Sequence, residues 1–300
     1  MNQIRNVLAA VGQFPQDDPV LARAAEIARA HRARLTIVHV IDGFTGFDLA
    51  PADLGLVQHQ VRLIARESVE VAVARQEAGV PEIDIRIETG SPSLRLIELT
   101  NEISADLVVM RAHQVDSILE KIIGSTTDRV IRANCAPVLV VKRPVTQAYQ
   151  RMVVATDTSV KSGGAVAFVA ALCPLAGLHL IHVVQIPPQF EEAMLRAGSS
   201  QATIAAHRDA LIRKAKAYMR DMSEGLANRP VRSATRVVVG NPAKSLVRAT
   251  RSPKVNLIAL DPGSNSLIRR ALLGSVTQRV LRDAACDVLI YRPAPRDVRE

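Results

Sequence analysis

Two glycine–hydroxyl segments stand 150 positions apart, Gly124-Ser125-Thr126-Thr127 and Gly274-Ser275-Val276-Thr277. A second pair, Gly90-Ser91-Pro92-Ser93 and Gly240-Asn241-Pro242-Ala243, keeps the same offset. The chemistry such groups suit is anion binding, because helix N-termini offer unpaired N–H groups to phosphate. In the first copy Arg111 adds a cation ahead of the glycine. His113 is either a phosphate hydrogen-bonding group or a solvated loop residue. Chemistry beyond binding has little support. There is no Ser-His-Asp order, paired-carboxylate motif or P-loop, so no catalytic site is evident. His39 and His182 fall mid-strand at equivalent places and read as core or rim histidines. No second His, Cys or Asp is spaced to join them on a metal.

A repeat of this length exceeds a solenoid unit, so each copy should have its own core. In the first copy the β-branched runs are Val7–Val11, Leu35–Ile41, Ile83–Glu88, Leu107–Met110 and Val138–Val141. In the second they are Met152–Ala155, Leu178–Val184, Arg232–Val239, Leu257–Leu260 and Val288–Tyr291. Segments with apolar spacing of three and four lie between them, as in Val20, Ala24, Ile27 and Ala28. Strand alternating with helix predicts right-handed crossovers and a parallel sheet. The expected fold is α/β, two tandem doubly wound domains of five strands each, over residues 1–143 and 150–293. Pro144–Gln150 is the expected linker and the segment from Pro293 a frayed tail. Asp17-Asp18 is the expected cap of the first helix, and Ser93 and Asn241 are expected to stabilise later helix starts beside Pro92 and Pro242. Ligands of such sheets bind beyond the carboxyl ends of the strands, at the switch point of strand order.

Composition narrows the partners. Trp is absent and Tyr and Phe number three and five, so the cores must be aliphatic. The net charge of +9 divides into −2 for residues 1–150 and +11 for 151–300. That asymmetry suits either an anionic partner or a solvated basic surface. Arg208, Arg213, Lys214, Lys216 and Arg220 share one predicted helix, but only Tyr218 is near for stacking, so nucleic acid is not the expected partner. Three cysteines without CxxC spacing indicate no disulfide framework and a reducing cytoplasm. Cys135 and Cys286, just ahead of the final strands, read as buried small hydrophobes. Ser162–Phe190 has no charged residue, yet its counterpart Pro19–Val40 carries Arg23, Glu26, Arg29, Arg32 and Arg34. The segment reads as helix, turn and buried strand, with no membrane span. Val7–Val11 is too short for a signal-peptide core.

Ile123-Gly124-Ser125 and Leu273-Gly274-Ser275-Val276, each inside a helix ahead of a Pro-Val-Leu-Val-like strand, resemble the universal stress protein family. So do the first strands Leu8-Ala9-Ala10-Val11 and Val154-Ala155-Thr156-Asp157, and the second strands Ile37–Ile41 and Leu180–Val184. The resemblance covers essentially the whole chain as a tandem pair. It implies a Rossmann-like fold of the adenine nucleotide alpha hydrolase type, with the two domains packed as a pseudo-dimer. Nucleotide-binding members carry an Asp at the end of strand one for the adenosine and G-x2-G-x9-G-[S/T] after strand four for the phosphates. Carried onto this chain, the expected ligand residues are Asp157, Val183, Gly274, Ser275 and Val276 in the second domain. In the first they are Val40, Arg111, His113, Gly124, Ser125 and Thr126.

Both halves depart from the family pattern. The two earlier glycines are Arg111 and Gln114 in one copy and Asp261 and Ser264 in the other, and the strand-one Asp is Gly12 in the first. A helix N-terminus favours an anion by about 0.3–2 kcal/mol. A carboxylate about 4 Å from a phosphate charge costs about 4 kcal/mol at an effective dielectric near 20. Asp261 therefore opposes the usual triphosphate pose unless Arg269, Arg270 or magnesium offsets it. The expected function is ligand sensing or regulation in stress response, with ATP or AMP as ligand and magnesium accompanying ATP. The alternative is a nucleotide-independent scaffold for a protein partner, its sites degenerate. Slow ATP hydrolysis is a weaker third reading, with no general base to name. Further homodimerisation is left open.

Overall fold

The computed structural model describes residues 4–43, 51–76, 79–80, 82–112, 124–133, 135–157, 162–227, 230–261 and 273–292. The chain divides into two compact units, residues 1–148 with 289–300, and residues 149–288.

In the first unit the order is β1 (Asn6–Val11), α1 (Asp18–His31), β2 (Arg34–Ile41), α2 (Pro51–Arg75), β3 (Glu82–Thr89), α3 (Pro92–Glu102), β4 (Leu107–Arg111), α4 (Ser125–Ala133) and β5 (Val138–Val141). The strands lie in the order β3-β2-β1-β4-β5. The pairs β1–β2, β1–β4, β2–β3 and β4–β5 are all parallel. Strands β4 and β5 are buried almost throughout, as continuous Val/Leu runs in a parallel sheet should be. Strand β3, at the edge, is mostly half-buried and carries Glu82, Asp84, Arg86 and Glu88, charges that blunt further pairing.

The second unit contains β6 (Arg151–Thr156), α5 (Ser162–Leu172), β7 (Gly177–Val184), α6 (Pro188–Arg196), α7 (Gln201–Glu224), β8 (Arg232–Val239), α8 (Pro242–Thr250), β9 (Leu257–Leu260) and α9 (Ser275–Asp283). Strand β10 (Asp287–Ile290) follows, its first two residues in this unit, and within the unit the order is β9-β6-β7-β8. The uncharged stretch from Ser162 resolves into α5, a turn and β7, and no helix among the described residues is long and apolar enough to cross a membrane.

The repeat extends to small devices. Asp106 Oδ2 accepts from the Arg5 and Asn6 amides at 2.8 and 3.0 Å, pinning the start of β1. Asn256 Oδ1 does the same for Gln150 and Arg151 at 3.0 and 3.1 Å ahead of β6. Gly90 and Gly240 adopt φ of +120° and +140°, which explains why both copies keep glycine there. Their amides donate to Ile41 O and Val184 O, each at 3.0 Å. Pro92 and Pro242 then open α3 and α8 at the first helical position, where the missing N–H costs nothing. Asn241 caps α8 as expected, accepting from the Lys244 amide at 3.0 Å. At α3 the cap position is Ser91 rather than Ser93, and Ser93 is buried.

Three further expectations change. Strand β10 begins at Asp287, one residue early, because the buried Asp287 carboxylate is met by the Tyr149 hydroxyl at 2.6 Å. That bond also makes the end of the expected linker part of the second unit's interior, with Tyr149 buried. Cys286 is buried, but Cys135 is half-buried, with its thiol 3.6 Å from Ala133 O.

A candidate ligand cleft and its counterpart

Beyond the carboxyl ends of β1, β2 and β4 the first unit opens a cleft of about 530 Å³. It lies at the switch point, where the chain runs outward through β2 on one side of β1 and through β4 on the other. Val40, Arg111, Gly124, Ser125 and Thr126 all line it. His113 lies outside the described residues. Gly124 precedes α4 rather than sitting inside it, so the helix starts at Ser125. The amides of its first turn therefore have no intrahelical acceptor and are available at the cleft wall. Thr127, fully buried, donates its hydroxyl to Arg111 O at 3.1 Å and fixes this turn to the end of β4.

The opposite wall is the β1–α1 turn, and there Asp17 is not the helix cap expected of an acidic pair before a helix. It occupies the cap position of α1 without a capping bond. Its side chain turns back, and Oδ2 accepts from the Gly12 and Gln13 amides at 2.6 and 3.1 Å. Two orphan donors of the turn are thereby satisfied by a charge-assisted contact. Oδ1 is buried without a hydrogen-bond partner. Arg111 Nη1 stands 4.0 Å from it and donates to Gln16 O at 3.0 Å, so the guanidinium ties the end of β4 to the β1–α1 turn. His39 closes the β2 side with Nδ1 3.2 Å from Val11 O. Burial holds this imidazole below its ordinary pKa, opposed by its backbone hydrogen bonds and the charge of Asp17.

In the second unit the predicted residues occupy matching places. Asp157 directly follows β6, Val183 lies in β7, Gly274 is the cap residue of α9, and Ser275 and Val276 form its first turn. Asp261 directly follows β9. The register places Ala155 beside Leu260, so Asp157 and Asp261 emerge from neighbouring parallel strands. His182 Nδ1 stands 2.7 Å from Thr156 O, the counterpart of the His39 contact. Ser264, Arg269 and Arg270 lie outside the described residues.

Sequence reasoning missed Asp17, Gln13 and Asp42 as cleft residues. For Asp17 a signal existed: an acidic residue five positions after a glycine that stands in an acidic place. Among the described residues no group of three His, Cys, Asp or Glu side chains could hold a metal ion.

The model of the universal stress protein family matches residues 3–142 and again 148–292. A Staphylococcus aureus USA300 protein named for the universal stress proteins is 31% identical over 142 residues, which is 46% of this chain and 84% of that protein. The crystal structure of a universal stress protein from Archaeoglobus fulgidus superposes with a TM-score of 0.66 at 15% identity, covering 97% of each chain. A Pseudomonas aeruginosa structure named for the same family gives 0.65 at 17% identity, over 97% of this chain and 94% of its own. At those identities the likeness speaks to the α/β, mostly parallel fold.

Proposed function

The chain belongs to the universal stress protein family, carrying two of its domains in tandem, and from that premise we propose that it senses an adenine nucleotide, ATP or AMP. The observation that carries this is the first unit's cleft, a space of nucleotide size walled by the start of α4, Arg111 and the β1–α1 turn. A phosphate there meets unpaired amides, the Ser125 and Thr126 hydroxyls and a guanidinium. In the second unit Asp157 would accept from the adenosine end, while Gly274, Ser275 and Val276 would supply the phosphate end. Asp261 makes that site dependent on magnesium or on a ligand of lower charge. Val40 and Val183 would give the base its apolar contact.

Thermal unfolding with millimolar AMP or Mg-ATP tests the proposal. A ligand present at 100 times its Kd adds about 2.7 kcal/mol of stability, so a clear rise in Tm is expected. Asp157→Ala should abolish the second unit's share of it. No rise with either nucleotide would support the other reading, a nucleotide-independent regulatory scaffold.

A further inference from the structure

The duplication supplies an internal control for surface charge. Helix α8 packs against α9 in the second unit as α3 packs against α4 in the first. Segments 242–254 and 275–283 carry six basic residues against Asp283 alone. The equivalent segments 92–104 and 125–133 carry three basic and three acidic. The difference is concentrated in four positions: Lys244, Arg248, Arg251 and Lys254 replace Leu94, Glu98, Asn101 and Ser104. All four basic side chains are exposed, and none pairs with a carboxylate among the described residues. Lys244, Arg248 and Arg251 recur at four and three residues, so they line one side of α8 at roughly one helical turn apart. The fold does not require this charge, since the first copy builds the same helix pair without it.

We propose that this face of α8 docks an acidic protein segment, with carboxylates spaced by about a helical turn. Charge complementarity selects the occupant. A single-stranded nucleic acid would be expected to meet stacking aromatics, and segments 242–254 and 275–283 contain none. A membrane surface would be expected to meet exposed large apolar groups, and α8 and α9 present none among the described residues. The first copy's equivalents of these four positions, Leu94, Glu98, Asn101 and Ser104, do not line the first unit's cleft, and the inference stands whether or not nucleotide binds.

The test is fluorescence anisotropy with a labelled oligoglutamate peptide, run beside a single-stranded oligonucleotide, a DNA duplex and phosphatidylserine vesicles. One variant imports the first copy's residues, Lys244→Leu, Arg248→Glu and Arg251→Asn, which the same fold already tolerates. A second, Arg213→Glu with Lys214→Glu, makes the same net charge change on α7. The peptide should bind the parent chain, weaken about tenfold or more in the α8 variant, which is about 1.4 kcal/mol, and hold within about threefold in the α7 variant. Equal loss in both variants, no loss in the α8 variant, or tighter binding of oligonucleotide or vesicles than of peptide would overturn the proposal.

Discussion

Above the first sheet, β1 is followed by Gly12 and β4 ends in Arg111; above the second, the same two places hold Asp157 and Asp261. The strands beneath are paired in the same order and register. One duplicated frame therefore presents Arg111 beside Asp17 and Asp42 in one unit and two carboxylates on neighbouring strand ends, Asp157 and Asp261, in the other. The difference shows which parts of the domain are structural and which are free to change. Gly90 and Gly240, Asp106 and Asn256, and the His39 and His182 contacts persist because they hold strands and turns in place. The residues at the strand ends diverge, Gly12 to Asp157 and Arg111 to Asp261, and in the first unit both are tied to the β1–α1 turn.

That division can be broken from the core outward. Leu107 and Leu257 are equivalent and fully buried. Leu107→Ala and Leu257→Ala should each cost about 2–5 kcal/mol, measured by denaturant unfolding, and each should act on its own unit. A loss under 1 kcal/mol in one unit alone would show that the two cores are not equivalent. Asp17→Ala comes next, because it strands the Gly12 and Gln13 amides; the expected loss is about 1–3 kcal/mol. Amide exchange should rise in the β1–α1 turn and stay unchanged around β6. Gly90→Ala and Gly240→Ala should each destabilise by about 1 kcal/mol or more, and to a similar extent, since both glycines have φ in the left-handed region. A neutral result at either position would remove the steric reason for the repeated motif.

The smallest effect is a pH dependence. His39 is held below its ordinary pKa in the folded chain by burial. As pH falls below the unfolded value of 6.5 the unfolded state takes up a proton that the folded state refuses, so stability is lost there. It is fully present above 6.5, and the slope from this one group cannot exceed about 1.4 kcal/mol per pH unit. His39→Gln should flatten stability over that window. An unchanged pH profile would assign the dependence to His179, whose pKa is lowered by burial and by the Arg151 charge.

The fold was largely legible in the sequence, because β-branched runs and three-four apolar spacing report burial directly. Arg232–Val239 and Leu257–Leu260 match the structure to the residue. What escaped were contacts made at a distance. Asp287 reads as the residue before a strand, since nothing local shows that Tyr149, 138 positions away, will satisfy it. Asp17 reads as a cap because caps are the common use of an acid before a helix, whereas its partners are amides of the preceding turn. Gly124 reads as helical, whereas it directly precedes α4, whose first-turn amides have no intrahelical acceptor.

The proposed function requires an adenine nucleotide bound at one or both of these strand-end sites. Mass spectrometry of small molecules released from the purified, denatured chain tests it most directly. The account predicts ATP, ADP or AMP at near-stoichiometric amount. Protein that releases no adenine nucleotide, and takes up none after incubation with millimolar Mg-ATP, would contradict it.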